Sequence, residues 1–327
     1  MEIGKIPENV LKRSVMRQLT TKREEVLVGS AVGEDCAAVV LEPDEEFVLS
    51  TDPITGTAKD IGNLAVLVTT NDLASAGATP IGIMLTVLLP KGTEEATLKE
   101  IMQQVNAACE AANIQVIGGH TEVTDVVNQP VLSVTGVGKV KRGKLISTGG
   151  AKPGMDLVAT KWIGIEGTAI IAKEKEAELR AHFPDVIVDE AMGLDAYVSV
   201  QKDGEVAAAH GAAAMHDVTE GGIFGALWEM AEASSVGLDV DLSKIPIRQE
   251  TVEICEYFDV NPYQLISSGC MLIATSDGSG LVRALADAGV AASIIGSTTD
   301  SNDRIIRYDG EMRYLEPPKA DEFHKVI

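Results

Sequence analysis

Apolar positions along the chain alternate between two kinds of run. Residues 93–114, TEEATLKEIMQQVNAACEAANI, place Leu98, Ile101, Met102, Val105, Cys109 and Ala112 at spacings of three and four, which predicts an amphipathic helix. Glu94 and Glu95 suit its positive end. Residues 60–78 predict another helix, with Leu64, Leu67, Val68 and Ser75 on its stripe, Asp60 as cap and Pro80 as stop. Residues 7–20 predict a shorter one. Residues 81–89, IGIMLTVLL, are apolar almost throughout and predict a strand covered on both faces. Further strands are expected at 36–42, 46–52, 114–119 and 130–140. The second half repeats the alternation. Strands are expected at 157–164, 213–218, 238–242, 270–275, 292–297 and 304–308, and helices near 167–181, 222–235, 249–258 and 279–288. The last stretch, EPPKADEFHKVI, reads as a tail. This pattern predicts α/β layering. The Gly-, Lys- and Pro-rich stretch 141–156 predicts a boundary between domains 1–150 and 151–327.

Charge narrows the partners. The 327 residues carry 49 acidic and 27 basic side chains, a net charge of −22. Neutralising a nucleic-acid backbone requires many cations, so no nucleic-acid partner is expected. An anionic membrane surface would repel the chain for the same reason. The opening MEIGKIPENV lacks the apolar core of a signal peptide, and no run reaches the 18 apolar residues of a membrane span. Cys36, Cys109, Cys255 and Cys270 lie far apart without a CxxC, and are expected as buried free thiols in a reducing, cytoplasmic setting.

Polar residues interrupt the apolar scaffold at a few places. GEDCAAVV (33–40) carries Glu34 and Asp35 before a strand, and STDPITGT (50–57) carries Asp52 at a strand end. TTNDLASAG (69–77) puts Asp72 inside an otherwise apolar helix, and IGGHTEVTD (117–125) puts His120 and Glu122 after a strand. A lone strand-end acid is ordinarily a turn or cap residue. Several on one rim of an α/β sheet repel one another unless a cation neutralises them, and hard oxygen donors favour magnesium. Asp72 is therefore expected to face the rim rather than the core. Capping of local backbone is the plainer alternative for it. His120 is expected in phosphate contact, proton transfer or ordinary hydrogen bonding; no HExxH or His/Cys spacing points to zinc. In MHDVTEGGIFGALWEMAEAS (215–234), a strand ends at His216-Asp217 and a helix starts at Gly221-Gly222. Asp217 is placed to reach a metal or a ribose. The glycines would permit close approach of a ligand, and the helix start offers N–H groups to an anion. The alternative is a turn packed by glycine. No GxxxxGK[ST] is present.

GEDCAAVV, TTNDLASAGATP, GGHTEV, AKPGMDLVAT, GIEGTAI, MHDVTEGG and NPYQLISSG occur in the order seen in the PurM-like, AIR synthase-related superfamily. The resemblance spans about residues 1–310 and is nearest the HypE-like branch. It implies a two-domain α/β fold whose N-terminal domain pairs with that of a second copy in a barrel-like dimer core. It also implies ATP with magnesium between the domains, and phosphoryl transfer to a small metabolite or modified group. By the resemblance, Asp35, Asp52, Asp72 and Asp217 match the family's acids. His120 stands where many relatives have an acid, which leaves Glu122 as a replacement ligand. The implied metal set is Asp35, Asp52, Asp72, Glu122 and Asp217. The implied nucleotide contacts are Lys5, Asp52, Thr70, Asn71, Gly118, Gly119, Thr121, Asp217, Thr219, Gly221 and Gly222, with His120 and Asp217 as catalytic groups. The HypE-like branch works through a terminal cysteine tail, whereas this sequence ends DEFHKVI with its last cysteine at Cys270. That departure keeps a nucleotide-binding scaffold in hydrogenase or cofactor maturation as an alternative. A small-molecule kinase resembling thiamine-monophosphate kinase is another, weakened by DVTEGGI where that enzyme has D-x-S-D-G-L.

Overall fold

Parallel strands need a crossover, and the helix expected at 93–114 supplies it. In the computed structural model, which describes all residues except 32, 33, 35 and 56–58, this helix is α2, Glu95–Ala112. It joins strand β3, Thr79–Pro90, to the parallel strand β4, Gln115–Thr124. Leu98, Ile101, Met102, Val105 and Cys109 are buried as their spacing predicts. Each large apolar side chain removed from water contributes roughly 1.5–3 kcal/mol. Asn113, left-handed at φ 52°, ends the helix.

The chain divides into two units, 1–73 with 78–145 and 74–77 with 146–327. The first is built on a five-stranded sheet. Its other strands are β1 (Gly4–Lys5), β2 (Glu45–Ile54) and β5 (Val131–Lys141), and the spatial order is β1-β4-β3-β5-β2. Helices α1 (Ile61–Ser75) and α2 cover one face, packing on Ile83, Leu85, Val87, Leu89, Leu132 and Val134. The other face is open, with Phe47 51 %, Leu49 64 % and Met84 40 % exposed. In the single chain the sheet does not close into a barrel. The residues expected as a first helix form one α turn at Glu8–Val10, then wider and tighter turns to Gln18.

The second unit holds a seven-stranded sheet. Its strands are β6 (Asp156–Thr160), β7 (Ala214–Val218), β8 (Gly237–Asp241), β9 (Cys270–Thr275), β10 (Ala292–Thr299), β11 (Arg304–Tyr308) and β12 (Glu311–Tyr314). They lie in the order β12-β11-β8-β10-β6-β9-β7. Its helices are α3 (Ile165–Glu174), α4 (Glu176–His182), α5 (Asp185–Met192), α6 (Gln201–His210), α7 (Gly222–Ser234), α8 (Gln249–Tyr257) and α9 (Gly278–Asp287). One core gathers the β7–α7 side, with Ile223, Leu227 and Met230 against Leu238, Val240 and Leu272.

Several expectations change. Helix α1 buries Ile61, Ala65, Val66, Thr69, Thr70, Leu73 and Ala74, whereas Leu64, Leu67, Val68 and Ser75 are only half-buried. The helix is apolar almost all round, so its pattern does not single out the buried side. It ends at Ser75, ahead of left-handed Gly77, and Pro80 lies within β3 rather than stopping the helix. Strand β4 runs on through Gly118-Gly119 to Thr124, so His120 and Glu122 sit in the strand and not after it. The terminal stretch is no loose tail, because Leu315, Asp321 and Phe323 are buried. Cys109, Cys255 and Cys270 are buried with thiols that burial pushes up to about 12, but Cys36 is exposed.

A buried carboxylate ties a small antiparallel pair, Val26–Val28 with Ala38–Val39, to the first unit's sheet. Glu25 is 7 % exposed and binds Arg23 at 2.8 Å and Lys139 of β5 at 3.1 Å. The Arg23 hydrogen bond, with smaller help from the backbone and Lys139, outweighs burial and holds Glu25 down at about 2. A carboxylate lowered in the fold contributes stability above its ordinary 4.5, lost as pH falls toward about 2. Glu25→Gln is expected to cost on the order of 1–3 kcal/mol at neutral pH and to flatten the loss of stability below the ordinary carboxylate range. Urea unfolding between neutral and acidic pH measures both effects.

Candidate functional site

Alternation along the strands sorts the expected site residues. On β2, Ser50, Asp52 and Ile54 face the helices, because Asp52 pairs with Val134, itself buried beneath them. The Ser50 hydroxyl donates to Asp72 Oδ2 on α1. Asp72 is half-buried, so it points to the edge of the helix-covered layer rather than into its centre. Asp72 thus meets Ser50, and Asp52 lies two residues further along the same face of β2; magnesium asks for one or two carboxylates beside waters and phosphates. Asp35 lies outside the described residues. Among the described residues, no three His, Cys, Asp or Glu side chains form a metal-holding group.

His120 and Glu122 occupy the opposite face. His120 pairs with Thr86, which pairs with Ser133, which pairs with Pro53, all on the open side. His120 Nε2 lies 3.0 Å from Glu122 Oε2, and Glu122 stands across from Lys5 on β1. β1 therefore fixes Lys5 in the sheet, so it is not at a flexible end. Between β4 and β2 lie two strands, which separates this group from Asp52 by about 14 Å. Within one chain the expected single rim of acids is split: Glu122 does not join Asp52 and Asp72. The reason is the two-residue period of a strand combined with the strand order, and the strand order cannot be read from local spacing.

A cavity of about 680 Å³ lies beside β4, along the stretch before its pairing with β1. It is lined by Lys5, Gly118, Gly119, His120 and Thr121 from the expected set, and by Glu34, Cys36 and the apolar Met16, Met84 and Met102. Gly119 has φ 148°, and a Cβ there would stand 1.9 Å from the Leu85 carbonyl oxygen, so the strand edge needs glycine at this point. Thr70 and Asn71, expected at the nucleotide, are fully buried. The Thr70 hydroxyl donates to the Leu67 carbonyl within α1, so it serves the helix rather than an accessible site. Sequence reasoning marked Glu34 among the polar strand-end residues but missed Cys36, which it expected as a buried thiol.

In the second unit, Asp217 is buried at the end of β7, and half-buried Thr219 leads to Gly221 and Gly222. Both glycines are left-handed, at φ 81° and 60°. The close backbone approach at Gly222 is to the protein itself: a Cβ there would stand 2.7 Å from the Tyr263 carbonyl and 2.8 Å from that of Leu265. The Gly221 amide, expected for a ligand anion, already donates to Asp321 Oδ2 at 2.7 Å. His216, beside Asp217, contacts Glu229 of α7 at 2.7 Å.

Glu166, in the first turn of α3, was not foreseen. It is 4 % exposed, and neither its Oε2 nor the buried Ser268 hydroxyl completes a hydrogen bond among the described residues. Burial above all, only partly offset by the neighbouring Ser268 and reinforced by the charges of Asp321 and Asp217, raises Glu166 to about 7. A carboxyl raised in the fold favours folding while it is protonated. Its stabilisation is full below its ordinary 4.5 and is lost as pH rises toward about 7. Glu166→Gln is therefore expected to gain about 1–3 kcal/mol over the parent above pH ~7, with the difference vanishing near pH ~4. Unfolding curves of both proteins across that range test the sign.

The AIR synthase related protein N-terminal domain matches residues 33–140, and the corresponding C-terminal domain matches residues 152–309. A candidate hydrogenase expression/formation protein of Methanocaldococcus jannaschii is 29 % identical, with 99 % of this chain and 97 % of the relative aligned. The carbamoyl dehydratase HypE of Rhodobacter capsulatus is 30 % identical over 72 % of this chain and 69 % of its own. The crystal structure of the hydrogenase maturation protein HypE in complex with ATP superposes with a TM-score of 0.81 at 19 % identity, covering 98 % of this chain and 97 % of that one. With both domain families matched across most of its length, the chain belongs to the PurM-like AIR synthase-related family, in its HypE-like branch.

Proposed function

We propose that this protein binds ATP with magnesium and uses it to phospho-activate a small metabolite or a modified group on a partner. The observation that carries the reading is the cavity beside β4, which brings Lys5, Gly118, Gly119, His120 and Thr121 together on an otherwise strongly acidic chain. Glycine 118 has only the Met84 methyl within 4 Å of a would-be Cβ, so backbone there is open to a ligand. Lys5 offers a cation to a phosphate, and His120, hydrogen-bonded to Glu122, offers a ring nitrogen for proton transfer at the acceptor. Asp52 and Asp72 are proposed to hold magnesium, whose charge offsets that of a polyphosphate, but within one chain they lie on the other face of the sheet, about 14 Å from His120, and so apart from this cavity. Family membership supports the reading, and a HypE relative has been solved with ATP. The free thiols support a cytoplasmic setting. No described helix is long and apolar enough to cross a membrane.

Asp72→Asn is expected to weaken magnesium-dependent ATP binding by about tenfold or more, since it removes one of two candidate carboxylates. Calorimetry with ATP and magnesium measures it, and equal affinity in parent and variant would remove Asp72 from the site. Steady ADP release with candidate acceptors then separates an enzyme from a nucleotide-binding scaffold.

The same reading includes a homodimer. Phe47, Leu49 and Met84 share the open face of the first sheet, an apolar area that a second copy of this face would cover. A Phe47→Asp, Leu49→Asp double variant is expected to sediment as a monomer where the parent sediments as a dimer. Identical sedimentation of the two proteins would place the dimer contact elsewhere.

A further inference from the structure

Strand β10 begins with one edge unpaired. Its residues 292–294 pair with β6 on one side, but on the other side β8 pairs only with Gly296–Thr299. The chain leaves β8 through a tight turn, Leu242–Lys244, and α9 packs against the same part of β10. Turn, strand and helix enclose a groove of about 680 Å³, within the range of small-molecule clefts, roughly 300–1,000 Å³. The groove lies wholly within the second unit, whereas the cavity beside β4 belongs to the first.

The floor of the groove is apolar. Ala292 and Ile294 point to one side of β10, where they lie half-buried with Val282 of α9. Its rim carries cations and a hydroxyl. Ser279 and Arg283 are four residues apart on α9 and so share one face of that helix. Arg283 is exposed, and among the described residues it has no hydrogen-bond or ion-pair partner. Lys244 lines the groove from the turn; its side chain is 60 % exposed and stands 3.5 Å from Asp241. Asp241 also accepts from the Ser243 hydroxyl at 2.6 Å, so Lys244 shares that acid. The start of α9 contributes little to an anion, because the Gly278 amide donates to Asp156 at 3.0 Å and the Gly280 amide to Asp277 at 2.8 Å. On a chain of net charge −22 the overall field repels anions, so an anion that settles here is held by Arg283 and Lys244 themselves.

We propose that this groove binds a small organic anion, its carboxylate or phosphate held by Arg283 and Lys244 and its apolar body laid on Val282, Ala292 and Ile294. The planar fork of Arg283 matches either oxyanion, and the Ser279 hydroxyl adds a donor beside it. The site is independent of the nucleotide reading above, because every residue in it lies in the second unit. Ligand-observed NMR titrations of the full chain with phenyl phosphate, benzoate and inorganic phosphate test it, on the parent, Arg283→Gln and Lys244→Gln. Arg283 has no partner to lose, so Arg283→Gln is expected to melt with the parent. The tighter of the two aromatic anions is expected to bind the parent at least about fivefold more strongly than inorganic phosphate, and to lose about fivefold or more in Arg283→Gln, with a smaller loss in Lys244→Gln. Either order of phenyl phosphate and benzoate supports the site and names its oxyanion. Equal affinity in parent and Arg283→Gln overturns the proposal, as does the absence of binding by either aromatic anion at about 10 mM. Inorganic phosphate binding as tightly as both aromatic anions also overturns it, because the apolar floor would then hold nothing.

Discussion

Successive side chains on a strand must point to opposite faces, and the first unit depends on that rule. Helices α1 and α2 cover one face of the five-stranded sheet and leave the other open. Every residue of β2 and β4 is thereby committed to one environment. Ser50 and Asp52 go under the helix layer, where Asp72 of α1 meets Ser50. Phe47 and Leu49 go to the open face, as do His120 and Glu122 three strands away. A slip of one residue in either strand would exchange polar for apolar positions throughout.

The same rule accounts for α1, an apolar helix with a carboxylate inside it. Its deeply buried side is made by Ile61, Ala65, Val66, Thr69, Leu73 and Ala74. Asp72 falls on the half-buried side with Leu64 and Val68, where it meets a hydroxyl from the sheet edge. A buried acid needs donors, and in the second unit the backbone supplies them. Asp321 takes three amides, yet burial still raises its carboxyl above the usual range, and Glu166, with fewer donors, is raised to about 7. In both acids burial is the largest influence and the hydrogen-bond donors oppose it.

Much of the architecture was legible in the residues. The stripe of α2 was read almost residue by residue, because charged positions alternate with apolar ones and mark the buried side unambiguously. The all-apolar β3 and the β7–glycine–α7 turn were equally clear. Helix α1 gave up its existence but not its buried side, since an apolar surface all round carries no phase. The split of the acids was not legible, nor was the cavity wall at Cys36.

The sequence by itself determined the order of helices and strands, the turn at Gly221-Gly222 and the family, because periodicity, glycine and short motifs are local. Only the tertiary structure decided which strands became neighbours, which face each acid took, and that a carboxylate one hundred residues downstream, Asp321, would fill the helix start at Gly221. Those outcomes depend on contacts between distant segments, and no local pattern names the partner of a hydrogen bond that the chain makes with itself from far away.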